Sequence, residues 1–168
     1  MSTPADAAED RQHLEELLEH FHTAMLVTHT EGAGLRARPL TLAAAHDTGV
    51  LYFATSVASP KVAELERTPE VLVTLQDSRR YVSIGGTARI TRDRALIDRL
   101  WSEAWKLWFP KGKDDPELCI VEVTPHEAEY WDQSGLAGVK FVLEAAKAYA
   151  TGTKPKSGES SNHAKLRV

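Results

Sequence analysis

Six β-rich runs follow one another with turn signals between them, and this succession limits the fold more than any other feature. "TAMLVTHT" (23–30), "LRARPLTLAAAH" (35–46) and "VLYFAT" (50–55) are separated only by "EGAG" and "HDTG". Gaps that short join antiparallel neighbours, because a parallel pair needs a crossover of a dozen or more residues. "EVLVTLQD" (70–77) and "RRYVSIGGTARITR" (79–92) form a further pair, and "ELCIVEVTPHEAEYWD" (117–132) reads as a long strand interrupted at Pro125. Consecutive antiparallel strands with few long helices between them predict a mainly β (α+β) fold, a small barrel decorated by helices.

Helical spacing appears in four places. Leu14, Leu17, Leu18 and Phe21 form one apolar face over 5–21. A short helix is expected over 60–68, ended by Thr68-Pro69. A third is expected over 93–109, capped by Asp93, with Leu96, Leu100, Trp101, Trp105 and Trp108 as its stripe. A final helix is expected within 136–152, ending at Gly152, and the polar tail 153–168 reads as disordered. The expected partition is an N-terminal helix (1–22), a barrel domain (23–135), the C-terminal helix and the tail.

A length of 168 residues suits one domain with a real core. The formal net charge of −4 gives nucleic acid no default claim as a partner. No apolar run is long enough to span a bilayer, so no membrane role is expected. The start "MSTPADAAEDRQHLEELLEH" lacks the basic-then-apolar order of a secretory signal. Cys119 is the single cysteine, which excludes an internal disulfide and fits a reducing cytoplasm. Its place in the strand run "ELCIVEV" favours a buried, inert thiol.

The junction "LYFATSVASPKVAELERTPEV" (51–71) passes from strand to helix through Thr55, Ser56, Ser59, Pro60 and Lys61. Ser59 is the natural N-cap and Pro60 the first helical residue. Lys61 then sits in the first turn, where the helix dipole opposes a cation by roughly 0.3–1 kcal/mol. Two readings fit these residues: hydroxyls, backbone N–H groups and a lysine that cradle a phosphate, or a capped helix whose lysine points into water.

Other motifs exclude more than they assign. The seven histidines contain no helical pair with an acid, so no metal site is expected. "SIGGTARI" is no dinucleotide fingerprint, and Gly85-Gly86 reads as a bulge in a barrel strand. No nucleophile elbow, P-loop or spaced carboxylate pair is present, so the catalytic residues are unknown. Trp101 and Trp105 read as packing. In "EYWD" (129–132), Tyr130 and Trp131 must point to opposite faces, so one of them meets an interface or a flat ligand.

Taken in order, "RARPLT", "LYFATSVASPKVAEL", "YVSIGGTARI", "WFPKGKDDPEL" and "VTPHEAEYWD" resemble the pyridoxamine 5′-phosphate oxidase-like split-barrel flavoproteins, most of all their general stress protein branch, over roughly residues 10–135. The resemblance implies a six-stranded antiparallel split β-barrel with peripheral helices, a homodimer, and FMN, or alternatively FAD, at the interface. It implies phosphate binding at Thr55, Ser59 and Lys61 with Ser56 nearby. Arg38 begins the flavin strand and joins the phosphate anchoring, and Pro39 and Leu40 line the ring edge. Tyr81 and Ser83 reach the ring from the opposing strand, and Trp131 closes the site from the partner subunit. A departure is visible too: Trp131 is followed by "DQSGLAGVKF" and not by the oxidases' arginine-leucine motif, so oxidation of pyridoxamine phosphate itself is not expected. Ala54, where the oxidases carry a bulkier residue, would loosen flavin affinity. The implied function is that of an FMN-dependent oxidoreductase or flavin reductase acting on a small molecule. The rivals are a non-catalytic flavin-binding sensor, carrier or scavenger, and a relative that has exchanged flavin for deazaflavin or haem.

Overall fold

The structure, a computed structural model, describes residues 4–32, 34–45, 49–134 and 162–167. The chain runs α1 (Pro4–Leu18), β1 (Thr23–His29), β2 (Leu35–Ala45), β3 (Leu51–Ser56), α2 (Pro60–Arg67), β4 (Glu70–Gln76), β5 (Arg80–Thr91), α3 (Arg94–Leu100), two short 3₁₀ turns (Glu103–Leu107 and Gly112–Asp114), β6 (Leu118–Asp132) and β7 (Asn162–Arg167). The strands lie in the order β3-β2-β1-β4-β5-β6-β7, and β3 also pairs with β6. That last pairing closes the first six strands into an antiparallel barrel, as the strand succession predicts. Closure uses only Leu118–Val123 of β6 against β3, so the second half of β6 keeps an edge beyond the barrel seam.

Period-2 alternation decides which side chains fill the barrel. In β1 and β4 every second residue is buried, and Leu26, Phe53, Val73, Leu75, Val82, Ile84, Val121 and Val123 form its core. A barrel this small has room inside for side chains and little else. The apolar face of α1 joins that same core through Leu14, Leu17 and Leu18, with Phe21 just beyond the helix. A second apolar cluster lies against β3 and β6, where Tyr52, Leu118 and Ile120 meet Ile97, Leu100, Trp105 and Phe109.

Three expectations change. The helix expected over 93–109 stops at Leu100, because Trp101 (ψ 131°) and Ser102 (ψ 136°) are extended before a 3₁₀ turn resumes at Glu103. Tryptophan and serine are weak helix formers, and packing of Trp105 and Phe109 into the second cluster outweighs their residual helical preference. The strand expected to break at Pro125 runs through from Leu118 to Asp132, with a register shift where Gly85 faces Glu127 and Gly86 faces Pro125. The extra residue of that bulge is His126, on the strand opposite the glycines. Gly86 is required there: a Cβ would sit 2.4 Å from the Thr124 carbonyl oxygen. Finally, the tail expected to be disordered contains β7, which pairs with 127–132 of β6. The helix expected over 136–152 lies outside the described residues.

Candidate functional site

The cation at the β3–α2 junction has no carboxylate partner among the described residues. Ser59 is the N-cap of α2 and Pro60 its first residue, as expected, yet the Ser59 hydroxyl makes no capping bond. Lys61 Nζ donates instead to Ser59 Oγ at 2.6 Å and to Thr55 Oγ1 at 2.8 Å. Burial, and then the nearby charge of Arg38, hold the lysine below its ordinary value. A half-buried ammonium satisfied only by neutral hydroxyls is an incomplete electrostatic arrangement. Both hydroxyls accept from Lys61, so their own protons remain available. Two O–H groups and the third ammonium N–H therefore form a set of donors without an acceptor among the described residues.

These donors border a cavity of about 420 Å³, lined by Pro39, Leu40, Thr41, Ala54, Thr55, Ser56, Ser59, Lys61, Trp105, Trp108 and Phe109. One end is polar and cationic; another is aromatic. Trp108 lines it while 69% exposed, so a bound molecule could cover its indole. Among the described residues of the lining, Lys61 is the only ordinarily titrating side chain. The donor set and the aromatic wall fit an anionic group attached to a flat, largely apolar body.

Beneath the junction, the barrel mouth holds a second polar group. Glu64 of α2 accepts from Thr28 Oγ1 at 2.6 Å and from Arg38 Nη2 at 2.6 Å; Arg38 Nη1 donates to Thr28 at 3.0 Å, and Arg36 stands 3.4 Å from the other carboxylate oxygen. Burial would raise the Glu64 carboxyl, but the bond from Thr28, then those from Arg38 and the charges of both arginines, hold it below its ordinary value. Cys119 lies alongside and donates to the Thr55 carbonyl oxygen at 3.4 Å. Burial pushes its thiol up to about 11, which agrees with an inert cysteine.

Of the residues expected at the site, Pro39, Leu40, Thr55, Ser56, Ser59 and Lys61 line this one cavity. Arg38 does not; its guanidinium is held by Glu64 and Thr28. Tyr81 and Ser83 of β5, with Trp131 of β6, also stand apart from it within one protomer. Tyr81 pairs with Trp131 and Ser83 with Glu129, on the outward face of the sheet. Trp131 stacks on His163 of β7 with ring centroids 5.2 Å apart, while Tyr130 points inward and donates to Asp10 of α1. Trp108, Phe109 and the cavity-facing role of Trp105 were not foreseen. The crowding of three tryptophans and a phenylalanine into 101–109 was the available signal, since a short helix needs fewer aromatics to pack.

A family model described as "Pyridoxamine 5'-phosphate oxidase like" matches residues 9–156. General stress protein 26 of Bacillus subtilis is 32% identical over 122 residues, covering 70% of this chain and 84% of that protein. The solved general stress FMN/FAD binding protein of Xanthomonas citri is similar with a TM-score of 0.66 at 27% identity, over 76% of this chain and 92% of that one. General stress protein 26 of Bacillus anthracis str. Sterne shares the fold, with a TM-score of 0.66 at 23% identity over 73% and 93% of the two chains.

Proposed function

This chain belongs to the pyridoxamine 5′-phosphate oxidase like family, and from that premise we propose that it is a homodimeric, FMN-binding general stress protein that acts as a flavin-dependent oxidoreductase or flavin reductase on a small molecule. The carrying observation is the ammonium of Lys61, held by two neutral hydroxyls at the polar end of an aromatic-lined cavity. A phosphate ester completes that set, with Lys61, Thr55 and Ser59 as donors and Ser56 beside them. Pro39 and Leu40 offer an edge along which a flat ring can lie. When bound, the flavin supplies reversible two-electron chemistry; the chain's own residues anchor the phosphate, orient the ring and exclude water from one side of it.

The homodimer is supported by the outward face of β1, β4 and β5. Met25, Leu72 and Tyr81 are 37%, 40% and 39% exposed there, and Pro39 pairs with Met25 on the same face. Apolar side chains exposed together on adjacent strands mark an association surface. A second copy docked on this face is a route by which Tyr81, Ser83 and Trp131 reach a flavin held by the first. The lone buried Cys119 fits a cytoplasmic setting.

A second reading, a flavin binder without turnover, is favoured by one feature: among the described residues lining the cavity there is no histidine, carboxylate or cysteine to act as an acid or base. The test is a visible spectrum of the protein as isolated, with mass spectrometry of whatever denaturation releases, followed by anaerobic NADH and NADPH. Flavin bands that bleach support the oxidoreductase. Flavin bands that neither nucleotide bleaches, with or without added acceptors, support the passive binder. A deazaflavin band, a Soret band or a colourless protein that ignores added FMN overturns both.

A further inference from the structure

Lys61 and Glu64 lie three residues apart on α2, the spacing at which opposite charges on a helix ordinarily meet. Here they do not pair. Lys61 turns to the hydroxyls of Thr55 and Ser59, and Glu64 turns into the barrel mouth toward Thr28 and Arg38. The Glu64 side chain is 8% exposed and that of Arg38 17%. Arg36, the other cation at the carboxylate, is 58% exposed and more distant. Cys119 is neutral at physiological pH. Among the described residues, the charged groups near the donor set are Lys61, the Arg38–Glu64 pair, the partly solvated Arg36, and Glu117, whose carboxylate accepts from Ser56 Oγ at 3.2 Å.

We propose that Glu64 is a positioning residue that sets the charge of the anion site: it fixes Arg38 in the barrel mouth and offsets its field, leaving Lys61 as the uncompensated cation among the described residues at the cavity. The inference rests on the reading of that site as a phosphate cradle. Arg38 then acts on the ligand through its field and not by contact. Its guanidinium is tied to Thr28 and Glu64 and does not line the cavity, whereas its neighbours Pro39 and Leu40 do. Beyond burial, Arg38 pushes the Lys61 ammonium down and Glu64 pushes it up, as expected of a charge pair close enough to the cradle to act on it together. Such an arrangement decides how strongly the cavity prefers a phosphorylated ligand over the same ring without phosphate, since an uncharged ligand does not respond to the balance.

The test is a charge cycle. Affinities for FMN, riboflavin and inorganic phosphate are measured by titration calorimetry on the wild-type protein, Glu64→Gln, Arg38→Gln and the double variant. Glu64→Gln removes one negative charge and keeps the shape, so FMN and phosphate bind roughly tenfold more tightly, the effect of a unit charge at several ångströms in a half-solvated site. Arg38→Gln weakens both by a similar factor, and the double variant returns to within about threefold of wild type. Riboflavin changes little throughout. The double variant carries no unpaired buried charge, so it keeps the cycle readable if a single variant folds poorly. A double variant as weak as Arg38→Gln overturns the proposal, because Arg38 would then meet the phosphate directly. Parallel changes for FMN and riboflavin overturn it as well, because Glu64 would then be only structural. If phosphate binds but no flavin does, the flavin reading fails, and the same ordering among the four proteins is still required of phosphate.

Discussion

At Lys61 a cation occupies the first turn of a helix, where the backbone dipole disfavours it, and burial disfavours it again. The two hydroxyls that accept from it relieve part of this cost and leave the charge unbalanced. On the proposed reading a phosphate would relieve the rest, which concentrates binding energy in one side chain. Lys61→Ala should weaken FMN by about 1.5–3 kcal/mol, the range of a charge-assisted hydrogen bond, with little change in melting temperature. Riboflavin should respond far less, and equal losses for the two ligands in fluorescence titrations would show that Lys61 does not touch the phosphate.

The elements do work that no single residue does. α2 is short, eight residues, yet it caps the barrel mouth and aims Lys61 and Glu64 at different partners while burying Val62 and Leu65. β6 is long enough to serve two neighbours on one side: its first half pairs with β3 and closes the barrel, and its second half pairs with β7. The bulge at His126 separates the two halves, and Gly86 makes it fit. Gly86→Ala would place a methyl group against backbone that cannot move away cheaply, and should lower unfolding stability in urea by roughly 1–3 kcal/mol, the usual range for overpacking. Gly85→Ala meets only the flexible Glu127 side chain, at 3.3 Å, and should be much milder. Similar losses at the two glycines would remove the bulge explanation.

For the molecule as a whole, the cavity belongs to β2, β3, α2 and the 3₁₀ turn, while three of the expected ligand-facing side chains lie on β5 and β6. One protomer does not unite them; the proposed homodimer would, through the outward face of β1, β4 and β5 that carries Met25, Leu72 and Tyr81. Leu72 is 40% exposed near the middle of that face, so Leu72→Asp should leave the far-ultraviolet circular dichroism unchanged. It should shift sedimentation toward monomer and reduce FMN affinity in step. Retained flavin binding by a clean monomer would place the whole site within a single chain.

Much of this architecture could be read from the residues in order. Alternating apolar positions and short turns specify six antiparallel strands, because side-chain direction in a strand depends only on parity. The Ser59-Pro60-Lys61 junction is likewise local, since capping preference and proline geometry act over a few residues. Other features depend on partners distant in the chain. Whether residues 101–109 continue as helix was settled by packing of Trp105 and Phe109 against Tyr52, Leu118 and Ile120. Whether Arg38 faces the cavity or the barrel mouth was settled by a glutamate 26 residues later. The strand in the tail exists because the far half of β6 offers an open edge. In each case neighbouring residues allow more than one conformation, and contacts made only when the chain has folded select among them.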